Sequence, residues 1–103
     1  MDNKEIWKPF PQDLYTLNCI KPIYEVSNTG KVRNIKTNRI LALTPCNGNP
    51  NYLKVQVQSI WNIGLSFRIS HVVYQAFVGE CYDKRVYHID GNPRNNSVEN
   101  LSL

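Results

Sequence analysis

Between Val26 and Gly79 the chain contains no aspartate and no glutamate. That stretch cannot neutralise itself: Lys31, Arg33, Lys36, Arg39, Lys54 and Arg68 leave it at +6, while the remaining residues, with six bases and eight acids, sum to −2. A cationic surface of this kind attracts polyanions. Long apolar runs are missing too. None approaches the ~18 residues that a membrane-spanning helix requires, and Met1-Asp2-Asn3-Lys4-Glu5 leads into no apolar stretch, so neither a membrane partner nor a secretory signal is expected and the cytoplasm is the default location. Cysteine is scarce and badly spaced for bonding. Cys19, Cys46 and Cys81 are odd in number and form no C-x-x-C pair, which excludes a disulfide framework and a zinc ribbon. A zinc site drawn from Cys46, His71, Cys81 and His88 matches no ligand spacing and is set aside. Repeats and low-complexity tracts are absent, and 103 residues suffice for a single domain, 1–103.

What is present is turn chemistry and strand periodicity. Tyr24–Ser27 and Lys31–Ile35 read as strands joined by a turn at Asn28-Thr29-Gly30. After a loop at Pro45–Asn51, Leu53, Val55 and Val57 alternate with Lys54, Gln56 and Gln58, the period of a half-buried strand. Asn62-Ile63-Gly64 turns the chain into a returning strand, Leu65–Ile69, completing an antiparallel meander. Ser70 stands as the N-cap of a short helix with Val73, Ala76 and Phe77 on one stripe, Ile69 and Tyr74 as a staple, and Gly79 at its end. Val86–Ile89 is a further strand, with Val98–Leu101 its partner across the tight loop Asp90–Asn96. The fold class is α+β: an antiparallel sheet with one central helix, followed by a hairpin.

Four cations fall within Lys31–Arg39, interleaved with Val32, Asn34, Ile35, Thr37 and Asn38. That mixture suits contact with phosphates and bases. Lys54 and Arg68 on the outer sheet face extend the surface, and Arg94 adds to it from the loop. DNA is the expected partner.

The segment from His88 through Asp90-Gly91-Asn92-Pro93-Arg94-Asn95-Asn96 to Asn100-Leu101 resembles the core of HNH endonucleases, particularly the homing-endonuclease type common in phages. Upstream, Glu5–Lys8, Tyr24–Arg33 and Tyr52–Val55 resemble the nuclease-associated modular (NUMOD-type) domain that often precedes that motif, and His71–Phe77 resembles the joining helix. The resemblance divides the chain into a NUMOD-like sheet region at 1–60 and a linking strand and helix plus HNH motif at 65–103. It implies that His88 is the general base of phosphodiester hydrolysis and Asn100 a structural residue bonding across the loop. It also implies a divalent cation, Mg²⁺ or similar, that offsets charge on the phosphate oxygens. Two departures count against activity. Tyr87 occupies the position of a metal ligand, and a phenol is a poor donor to Mg²⁺; the second ligand sits on a helix beyond the Asn-Leu strand, where this sequence stops at Leu103. The ββα-metal hairpin therefore reads as truncated, without its last helix.

Three functions fit. The first is a DNA-binding protein derived from an HNH endonuclease, with an incomplete metal site and weak or no cleavage; a protein partner or a second copy would cover the surface left by the missing helix. The second is a working metal-dependent nickase using His88, with Asp90 among its ligands. The third is a phage-encoded inhibitor that binds a host nuclease or defence protein.

Overall fold

The computed structural model describes residues 4–12, 19–81 and 84–103; Met1–Asn3, part of the N-terminal segment read above for targeting, and the acids Asp13 and Asp83 lie outside them. The strands are β1 (Trp7–Pro9), β2 (Tyr24–Ser27), β3 (Val32–Asn34), β4 (Arg39–Ile40), β5 (Thr44–Cys46), β6 (Asn49–Gln58) and β7 (Gly64–Arg68). Helix α1 (Ile69–Phe77) follows, then β8 (Tyr87–His88), a 3₁₀ turn at Val98–Asn100 and β9 (Leu101–Ser102). The architecture is α+β, with all strand pairing antiparallel.

The expected single meander is three sheets among the described residues, ordered β1-β2-β3-β4, β5-β6-β7 and β8-β9. Strand β4 is only two residues long, after which the chain leaves the first sheet to start the second. Val26 faces Val32 across β2 and β3, while Val55 and Val57 face Phe67 and Leu65 across β6 and β7. These inward residues meet around α1, whose Ile69, Val72 and Val73 are fully buried. Each such aliphatic side chain contributes about 1.5–3 kcal/mol through burial. Phe10 joins the two larger sheets, its ring 6.3 Å from Tyr24 and 5.9 Å from Phe67. The Tyr24 hydroxyl then accepts the Gln58 amide at 3.1 Å, satisfying its polar end where β6 finishes.

Three local expectations are corrected. Ser70 is not the cap: the extended-to-helical change falls at Arg68, without a side-chain cap, because β7 runs straight into a helix whose first residue is pulled into the core. Gly79 does stand just past the helix end, after Val78, and its amide and that of Val78 both donate to the Tyr74 carbonyl. The Pro45–Asn51 loop is a hairpin about Asn47-Gly48, with Gly48 at φ +82° and a bulge at Pro45/Cys46. Residues Val98–Asn100 form a 3₁₀ turn, and only Leu101 and Ser102 pair with β8.

His71 sits on α1 with Nε2 3.1 Å from the Lys84 carbonyl and with Nδ1 buried and unpartnered among the described residues. Burial, aided by the nearby Arg68 charge, pushes its pKa below the ordinary 6.5. Because the unfolded chain then takes up a proton more readily than the folded one, this contribution to stability is present above about pH 6.5 and lost as pH falls through the depressed folded value. Thermal denaturation followed by circular dichroism is expected to show Tm falling between pH 7 and pH 5 more for the native chain than for His71→Gln.

Candidate active site and nucleic-acid interface

The second half of the chain is organised by amides. Strand β8 delivers His88, and the chain turns back at once, with the Gly91 amide on the His88 carbonyl at 2.9 Å and Gly91 at φ +77°, a conformation glycine adopts without steric cost. Asp90 is consumed by the loop. Its Oδ1 accepts the Asn92 amide at 2.8 Å and Asn100 Nδ2 at 2.9 Å, while Oδ2 accepts Asn95 Nδ2 at 2.9 Å. These bonds, that from Asn95 foremost, hold the Asp90 carboxyl below its usual range. Asn100, almost buried, completes the loop by accepting the Asp90 amide at 3.0 Å and donating to the Asn95 carbonyl at 2.9 Å.

His88 is fixed from two sides. Its Nε2 lies 2.8 Å from Oδ1 of buried Asn96, and its ring lies 5.8 Å from that of Tyr52. An amide oxygen only accepts, so Nε2 carries the proton and the neutral ring has its lone pair on Nδ1. Tyr52 in turn stacks under the Arg68 guanidinium at 4.5 Å. His88, Tyr52 and Arg68 thereby line one open cleft of about 390 Å³, together with Asn49, Tyr87 and Arg85. Among the described residues, neither Arg68 nor Arg85 has a carboxylate partner.

The sequence-selected cations are not one group. Lys54 stands opposite Arg68 on the outer face of β6 and β7. Arg94 donates to the Pro50 carbonyl at 3.3 Å, bringing the loop against the start of β6. Lys36 and Arg39 are exposed near the β3–β4 turn. Lys31 pairs with Glu5 at 3.7 Å, and Arg33 binds Glu25 at 2.7 and 2.9 Å while its guanidinium covers Trp7 at 4.1 Å. Sequence reading passed over Arg85, Tyr52 and Asn49. Arg85 lies in a part of the chain whose acids mask it in any charge sum, and the other two resemble ordinary strand residues.

The donors fit a hard divalent cation poorly. Mg²⁺ prefers carboxylate and water oxygens, whereas this cleft offers two guanidiniums, an imidazole, the phenols of Tyr52 and of Tyr87, which is 54% exposed, and the amide of Asn49, but no carboxylate. Asp90 gives three of its roughly four acceptor sites to N–H groups of its own loop, and no three His, Cys, Asp or Glu side chains converge among the described residues.

A cationic cleft beside a hairpin-borne, amide-fixed imidazole is the arrangement of a nuclease-like protein. Matches to known families agree: residues 5–58 match the NUMOD4 motif and residues 68–103 match the HNH endonuclease family. The chain belongs to the NUMOD4 family and is an HNH homing-endonuclease-like protein, its N-terminal module preceding the HNH element. A solved structure concerned with DNA binding and cleavage by the HNH homing endonuclease I-HmuI is similar over 93% of this chain, with a TM-score of 0.74 and 28% sequence identity. This chain spans 50% of that protein's length. No curated protein sequence matches it. No helix among the described residues is long and apolar enough to cross a membrane.

Proposed function

We propose that the chain binds DNA across the cleft, with Lys54, Arg68 and Arg85 on phosphates, and that by itself it cleaves weakly or not at all. The observation that carries this reading is the disposition of charge around His88. Two guanidiniums without described carboxylate partners face the cleft, while the carboxylate nearest His88 in sequence is spent on three N–H donors. Lys36 and Arg39 extend the cationic surface, and Arg94 steadies the loop beside it. Lys31 and Arg33, already paired with acids, contribute less to binding. His88 supplies a base-type nitrogen at Nδ1, Asn100 holds the loop that frames it, and Asp90 serves the loop rather than a metal. A divalent cation, where bound, would offset charge on the scissile phosphate; the described residues alone do not compose its site.

Purified chain incubated with supercoiled DNA in Mg²⁺, Mn²⁺ or EDTA tests this directly, with His88→Ala as control. The expected result is DNA retention that weakens steeply with salt, without metal-dependent nicking. Nicking that needs metal and disappears in His88→Ala would establish the working-nickase reading instead. Absence of both nicking and retention would overturn DNA binding and point to a protein target.

A further inference from the structure

We propose that Asn96 is a positioning residue for His88, and that the turn between β2 and β3 in the N-terminal module holds Asn96 in place. The proposal deepens the reading of His88 as a base, but its test does not depend on DNA binding or cleavage.

Asn96 is 4% exposed, and a buried amide needs its hydrogen bonds made. Its Oδ1 meets His88 Nε2 at 2.8 Å, which selects the Nε2–H form of the neutral ring and stops the imidazole from rotating. On its other side Asn96 is approached by the turn between β2 and β3, at Gly30. A Cβ added at Gly30 would lie 3.0 Å from Asn96 Cβ, 3.1 Å from its carbonyl oxygen and 3.3 Å from its carbonyl carbon. The turn thus packs closely on Asn96, so that a side chain at position 30 would require Asn96 to shift by a few tenths of an ångström, and Gly30 has φ +96°, which disfavours any other residue independently. The same turn is tied to the HNH element and to the N-terminal strand. Asn28 accepts the Val98 amide at 2.8 Å through its carbonyl and the Ile6 amide at 2.9 Å through its side chain. A contiguous path therefore runs from the NUMOD4 module through Gly30 and Asn96 to His88. A module that shifts on binding DNA would move the base's anchor with it.

Proton NMR in water, with ¹⁵N-labelled imidazoles, reads this without any ligand. A ring N–H held in a buried hydrogen bond exchanges slowly enough to be seen, whereas a released one vanishes into solvent exchange. His71, whose Nε2 bonds the Lys84 carbonyl, is the internal reference. The expected result is a His88 Nε2–H resonance in the native chain that is lost in Asn96→Ala and in Gly30→Ala. The His71 resonance and the β8–β9 amides should persist in both. In Asn96→Asp the His88 resonance should remain and move downfield, because a carboxylate is the stronger acceptor. Should Asn96→Ala fail to fold, the Asn96→Asp shift alone decides, and its absence refutes the proposal. A His88 Nε2–H signal that survives Asn96→Ala, or a native proton found on Nδ1, overturns the positioning role; one that survives Gly30→Ala overturns the link to the N-terminal module.

Discussion

Replacement of Asn100 by alanine is expected to lower the stability of the fold by about 3 kcal/mol, on the basis of what each stranded group costs. The side chain is 8% exposed and makes three hydrogen bonds, accepting from the Asp90 amide and donating to Asp90 Oδ1 and the Asn95 carbonyl. Alanine removes all three and leaves the Asp90 amide and the Asn95 carbonyl without those partners, at about 1–3 kcal/mol for each that stays buried and unsatisfied. In a chain of this size about 1 kcal/mol corresponds to roughly 4–8 °C in Tm, so a fall of about 12–24 °C is the expected reading in a thermal melt at neutral pH. Strands β8 and β9 pair over only two residues each, too little to hold the hairpin unaided. Asn100→Asp should rescue little, since a second carboxylate would face that of Asp90. A loss below about 1 kcal/mol, the worth of one ordinary hydrogen bond, would show that the backbone turn and Asp90 alone suffice, and Asn100 would cease to be the organiser of the loop.

What the sequence makes legible follows from local rules. Alternation in Leu53–Gln58 marks the central strand because one face is buried, and Asn28-Thr29-Gly30 and Asp90-Gly91-Asn92-Pro93 mark turns because each contains a glycine that adopts positive φ. Less legible is where a tertiary demand overrides a local one. Ser70 has the chemistry of a cap, yet burial of Ile69 starts the helix two residues earlier and leaves the Ser70 hydroxyl buried without a partner among the described residues. Charge shows the same limit. Glu5 and Glu25 lie outside the acid-free stretch, but antiparallel pairing sets Glu25 opposite Arg33, and the β1 approach brings Glu5 to Lys31. A charge sum along the chain sees none of this. The cleft is likewise assembled from β6, β7 and the segment before β8, so Arg68 and Arg85 become neighbours only in the folded state.

That difference in pairing separates the cations energetically and gives the second large effect. If Arg68 and Arg85 each neutralise one DNA phosphate, removing both should reduce the steepness of log K against log salt by about 1.8, at about 0.9 for each phosphate. The same relation fixes the loss of affinity: at 0.1 M salt, two such contacts are worth about 1.8 decades, so Arg68→Ala/Arg85→Ala should bind roughly 60-fold more weakly, with the gap closing toward 1 M salt. Fluorescence anisotropy titrations of duplex DNA across a salt series measure both quantities. Arg33→Ala is the informative contrast. Its guanidinium already has a carboxylate at 2.7 Å and an indole beneath it, so it displaces few counterions from DNA, and its removal should change the slope by much less than 0.9. Equal slopes for the cleft double variant and the native chain would place the phosphates elsewhere, and the exposed Lys36 and Arg39 would become the next residues to replace. A slope change in Arg33→Ala matching that of one cleft arginine would mean that DNA opens the Glu25 ion pair. In that case the NUMOD4 sheet, rather than the cleft beside His88, would be the surface on which the duplex is first held.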